Sequence, residues 1–141
     1  MTDNFTLNEL TRSMTAKRLG IDNTPNCEQT LNLKALVLKV LQPARDFFNK
    51  PITVTSGFRS DYLNRRIGGA KNSQHTTGEA ADLMCSDNKK LFLYIKTYLD
   101  FDQLIWEYGD DNKPEWVHVS YSKENRKEVL IKRNNEHYKP Y

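Results

Sequence analysis

Cysteine is nearly absent from this chain: the 141 residues carry two, Cys27 and Cys85. Two thiols cannot build a disulfide framework, and they fall short of the four Cys or His ligands of a cysteine zinc site. Both are expected as free thiols. Long apolar runs are missing too. None approaches the roughly 20 residues that cross a bilayer, so no membrane span is expected. The first 20 residues are polar, with Asp3 and Asn4 ahead of any apolar pattern, and they do not read as a secretory signal peptide. A cytoplasmic protein is the expectation. Charge of one sign is also lacking. The 21 basic and 18 acidic residues leave a net charge of +3. Apart from Arg65-Arg66 and Lys132-Arg133 the basic residues are scattered, which argues against a nucleic-acid partner.

What remains is a composition of 38% hydrophobic and 28% charged residues, that of one soluble domain spanning 1–141. Thr6 and Glu9 have the spacing of a capping box, which predicts a short helix from Leu7. Gly20 predicts the stop of a second helical piece. Thr24-Pro25 reads as the cap and first residue of a long helix. In it Leu33, Leu36, Val37, Val40, Leu41, Ala44, Phe47 and Phe48 recur at steps of three and four, one core-facing stripe. Pro43 falls inside that stripe and predicts a kink. Strands are predicted at 52–55, 80–83, 103–107, 116–121 and 128–132, and helices after Ser60 and over 87–99. Helices first and then mixed strands and helices predict an α+β fold: a small antiparallel sheet with the N-terminal helices packed on it. The polar tail 133–141 is expected to fray.

Two histidines keep unusual company. His75 lies in Ser73-Gln74-His75-Thr76-Thr77-Gly78-Glu79-Ala80-Ala81-Asp82. Asp82 sits in a small apolar strand, where a carboxylate needs a partner. On spacing alone, a metal ion and an arginine paired with Asp82 beside a surface histidine are about equally good readings. The second run, Glu115-Trp116-Val117-His118, favours the metal. Trp116, His118 and Ser120 share one strand face and Val117 and Val119 the other. Two His and one Asp leave one coordination position open, and a nearby glutamate can serve as general base. Glu115 reaches that site only if the chain bends at the strand start after Pro114; otherwise it is an exposed loop carboxylate.

These runs, with Ser56-Gly57-Phe58-Arg59-Ser60 before them, resemble the zinc D-Ala-D-Ala carboxypeptidase family. That group of peptidoglycan metallopeptidases includes D-Ala-D-Ala dipeptidases and phage endolysin L-alanyl-D-glutamate peptidases. The resemblance covers the core motifs from Pro51 to Tyr121, and the lead-in 5–49 is similar to the stand-alone phage and prophage subgroup. It implies a zinc-dependent metallopeptidase acting on a peptidoglycan stem peptide, with the Hedgehog/DD-peptidase fold. His75, Asp82 and His118 would bind Zn2+. Glu115 would be the general base, Arg59 would bind the substrate carbonyl and stabilise the oxyanion, and Ser73 would hold the substrate's polar end. A monomer is expected, released at lysis to act on the wall. The alternative is a catalytically inactive, zinc-stabilised binding module of Hedgehog type, for which an intact general base and Arg59 would be superfluous.

Overall fold

The computed structural model describes all residues, 1–141. In chain order the elements are α1 (Leu7–Thr11), α2 (Met14–Leu19), α3 (Cys27–Leu36), a π-helical turn (Val37–Leu41), α4 (Gln42–Phe48), β1 (Thr53–Ser56), α5 (Asp61–Arg66), β2 (Ala80–Met84), α6 (Asn88–Tyr98), β3 (Gln103–Glu107), β4 (Trp116–Ser120), β5 (Glu128–Lys132) and β6 (Lys139–Pro140). The fold is α+β, in agreement with the Hedgehog/DD-peptidase fold that the resemblance implies.

The strands form one sheet in the order β1-β2-β4-β3-β5-β6. Alternation sorts its two faces. Ala81 and Leu83 of β2, Val117 and Val119 of β4, and Leu104 and Trp106 of β3 are buried in the core together with Leu33, Leu36, Val37, Val40 and Leu41. The opposite face carries Asp82, His118, Ile105 and Glu107.

The helix signals translate into specific bonds. Thr6 accepts from the Glu9 N–H, Ser60 from the Leu63 N–H, and Gly20 ends α2 in the left-handed conformation. Alternation and punctuation also place β1 to β5 within a residue or two of expectation. The cap of α3 is Asn26 rather than Thr24: its side chain accepts from the Gln29 N–H while Gln29 Oε1 accepts from the Asn26 N–H, both at 2.8 Å. An asparagine with glutamine three residues on satisfies two orphan donors at once, which leaves Pro25 outside the helix.

Pro43 acts as a register change. It has no N–H, and its ring crowds the carbonyl four residues back. The preceding turn widens to π, with the Gln42 N–H donating to the Val37 carbonyl. The apolar stripe stays on the core as far as Ala44, but Phe47 is 53% exposed.

Two further expectations are corrected. The sheet is mixed, because β3 and β5 run parallel. The segment after β4 crosses the end of β3, where the Lys127 N–H donates to the Phe101 carbonyl and the Glu128 N–H to the Asp102 carbonyl. The strand β5 therefore starts beside β3 and runs its way. Nor does the tail fray: Lys139 and Pro140 pair with β5, and the Tyr141 ring lies 4.9 Å from Phe92 and 6.1 Å from Trp106. Contact of the half-exposed Tyr141 ring with these two buried aromatics, together with the pairing to β5, holds the tail in place. Cys27 and Cys85 are both unpaired.

Gly78 closes the loop that returns to β2. Its φ is +79°, and an added Cβ would overlap the Gln29 carbonyl of α3. Gly78→Ala is expected to destabilise the protein by about 2 kcal/mol or more, because conformation and space both oppose the methyl group. Urea unfolding of the variant against wild type measures this.

Candidate metal centre and active-site cleft

The site is built on neighbouring strands. Asp82 and His118 face each other in the β2–β4 ladder, and Ser56 of β1 pairs with Asp82 on its other side. His75 comes from the loop before β2, and that loop is fastened on three sides. The Arg59 N–H donates to the His75 carbonyl at 3.0 Å. Gln29 and Asn32 of α3 donate to the carbonyls of Thr76 and Thr77 at 3.2 and 2.9 Å. Gln74 donates to Asp102 at 2.8 Å.

His75 Nδ1 lies 2.7 Å from the Gly57 carbonyl oxygen. A carbonyl can only accept, so Nδ1 carries the proton and Nε2 presents its lone pair to the site. That nitrogen is 3.5 Å from Asp82 Oδ2, and His118 Nδ1 is 3.0 Å from Asp82 Oδ1. The ligand atoms of His75, Asp82 and His118 all lie within 4.8 Å of one another. Two imidazoles and a carboxylate, all buried, with one ring pinned by a backbone acceptor, are a donor set that suits zinc and leaves a further position free.

The electrostatics agree. Burial pushes the His75 pKa down, against the pull of Asp82, so the ring is neutral and able to ligate. Burial works to raise that of Asp82, but the hydrogen bond from the His118 ring leads the effects that outweigh it and hold the acid well below the usual carboxylate range.

A cleft of about 600 Å³ opens over this centre, lined among others by Arg59, Ser73, Ile105, Glu107, Trp116 and Arg126. The Arg59 guanidinium is held by Ser56 Oγ at 3.2 Å and Asn64 Oδ1 at 3.1 Å, with Nη2 3.8 Å from Asp82 Oδ2. Ser73 lines the cleft and its Oγ accepts from the His75 N–H at 3.2 Å.

Glu115 is placed elsewhere. It is exposed and does not line the cleft. Its N–H donates to the Glu107 carbonyl at 2.9 Å and its carbonyl accepts from Asn88. The chain does bend at Glu115, just before β4, but the bend leaves the carboxylate exposed and outside the cleft. Besides Asp82, the carboxylate that lines the cleft is Glu107, which the sequence reading passed over. It is 8% exposed. Burial raises its pKa to about 7; the Asp82 charge adds to the rise, while His118, Lys132 and Arg59 oppose it.

A family model described as peptidase M15 matches residues 3–120. The chain belongs to the peptidase M15 family. The zinc D-Ala-D-Ala carboxypeptidase of Streptomyces albus G is 60% identical to the chain over 35 residues, which are 25% of this chain and 14% of that protein. The chain thus covers a small part of that relative. The residues matched to the M15 family run from before α1 to the end of β4. The metal centre lies inside them, whereas Arg126, Leu130 and Tyr138 of the cleft lie outside. No helix of this M15 chain is long and apolar enough to cross a membrane.

Zinc-reconstituted wild type is expected to hold one zinc per chain, and a His75→Ala/His118→Ala double variant none after dialysis. Metal analysis by plasma emission spectroscopy checks this; full occupancy in the double variant would remove the assignment.

Proposed function

We propose that this protein is a zinc-dependent metallopeptidase that hydrolyses a peptide bond in peptidoglycan stem peptides, as a D-Ala-D-Ala carboxypeptidase or an L-Ala-D-Glu endopeptidase of endolysin type. The observation that carries the reading is the convergence of a His-Asp-His donor set, a fixed guanidinium and a buried carboxylate with a raised pKa in one cleft of an M15 chain. The zinc carboxypeptidase relative supports the metal and the substrate class. Every group comes from a single copy of a single domain, which fits action as a monomer.

The roles follow from placement. His75, Asp82 and His118 hold the ion, and zinc bound there supplies Lewis acidity to a water and to the scissile carbonyl. Arg59 stays cationic: burial lowers its pKa, but the Asp82 and Glu107 charges counter that and a guanidinium has a wide margin. It donates to the carbonyl oxygen as negative charge grows there. Glu107, rather than Glu115, takes the proton as the water oxygen bonds to the carbonyl carbon. The same proton then passes to the leaving nitrogen as the C–N bond breaks, so Glu107 returns to its starting state. Ser73 fixes His75 and offers its hydroxyl to the substrate's polar end.

Glu107→Gln is expected to keep zinc bound and to lower hydrolysis by roughly a hundredfold to ten-thousandfold, since the amide cannot take the proton. Glu115→Gln should cleave like wild type. Mass spectrometry of muropeptides after digestion measures both and identifies the bond; the reverse pattern would return the base to Glu115. Arg59→Ala should keep the metal and lose roughly a hundredfold to a thousandfold in turnover. A zinc-loaded wild type that binds wall peptides but cuts no stem-peptide bond would instead establish a binding module.

A further inference from the structure

The cleft holds a second guanidinium, Arg126, set apart from Arg59 by where it is anchored. The nitrogens of Arg59 face Ser56, Asn64 and Asp82. Arg126 precedes β5. Its Nε and Nη2 donate to Asp102 Oδ1 and Oδ2, each at 2.8 Å, and its backbone N–H donates to Oδ1 at 3.0 Å. This two-pronged pair fixes the plane of the guanidinium. Nη1 has no partner within the protein, and the side chain is 55% exposed where it lines the cleft.

Asp102 is an unusual support. It is 3% exposed, at the lead-in to β3, and the Arg126 hydrogen bond holds its pKa down to about 2 against the opposing effect of burial. Its Oδ2 also accepts from Gln74, the neighbour of His75. One carboxylate therefore sets both the arginine and the loop that carries a metal ligand. The other acid close to Arg126, Glu128, accepts from Gln103 at 2.6 Å. The arrangement is a rigid dipole whose positive end, with free N–H groups, is turned to the cleft.

We propose that Arg126 is a specificity-determining residue that anchors a substrate carboxylate near the scissile bond, held in place by Asp102 as a positioning residue. This rests on the peptidase reading above and narrows it: the substrate is a peptide with a free carboxylate near the bond that is cut. Two carboxylates of a stem peptide meet that description, the terminal one of D-Ala and the α-carboxylate of γ-linked D-Glu. The fork geometry of a guanidinium suits a carboxylate better than an amide, which offers one acceptor and no charge.

The test uses zinc-loaded full-length protein and a stem pentapeptide in three forms: both carboxylates free, the terminal D-Ala amidated, and the D-Glu α-carboxylate amidated. Arg126→Gln is expected to raise KM for the free form by about tenfold to a hundredfold, the scale of one charge-assisted hydrogen-bond pair, with a smaller change in kcat. Arg126→Lys should recover part of the loss. One amidated form should already show the high KM with wild type, and Arg126→Gln should not worsen it; which form does so identifies the carboxylate. Calorimetric binding of the three peptides in a Glu107→Gln background reads the same preference without hydrolysis. Equal loss for all three peptides, or none, overturns the assignment while leaving the peptidase reading intact. Absence of both binding and cleavage of every form overturns the peptidase reading and this inference with it.

Discussion

The Asp82 carboxylate, held between two imidazoles in the middle of a sheet, is the constraint on which the rest of the structure depends. Burial alone would push its pKa up. It stays ionised because β4 brings the His118 ring to 3.0 Å, while the preceding loop sets His75 3.5 Å away on its other oxygen. Each of those groups needs its own support. The β2–β4 register fixes His118, the Gly57 carbonyl fixes the His75 ring, and Ser56 and Asn64 fix the guanidinium on the far side. The sheet, the turn at 57–60 and the loop from Ser73 to Gly78 are the parts of one charge-balanced cluster.

Seen this way, it is clear why so much of the centre could be read without coordinates. A charged residue between Ala80-Ala81 and Leu83 breaks the apolar pattern of its strand. A histidine on the polar side of an alternating strand does the same. Such local violations of an otherwise consistent pattern mark functional positions. The element boundaries were legible for a related reason, since Thr6, Ser60 and Gly20 act through bonds to residues only a few positions away.

What was not legible depended on partners distant in sequence. Glu107 ends an alternating strand and looks like a solvent-facing charge. Only the pairing of Ile105 with His118 and of Glu107 with Trp116 puts it in the cleft with Asp82 and His118, and no local pattern encodes that register. The one available signal was parity, since Gln103, Ile105 and Glu107 alternate with the core-facing Leu104 and Trp106. Glu115 stands at a bend just before β4, so strand parity does not decide where it points. The parallel β3–β5 pair and the docked tail were hidden for the same reason: both are long-range outcomes, the second driven by a single ring finding Phe92 and Trp106.

The fastening of the His75 loop to α3 has a thermodynamic consequence. Gln29 and Asn32 grip the carbonyls of Thr76 and Thr77, and the Gln29 carbonyl abuts Gly78, so an opening of α3 would loosen the loop that carries His75. Ion occupancy and the local stability of an N-terminal helix that never touches the ion are therefore linked functions of each other. A cation bound at the centre would suppress the opening fluctuations of α3, and amide exchange along that helix would slow as the ion is taken up. The affinity of the centre is thus a property of helix packing as well as of its three ligands.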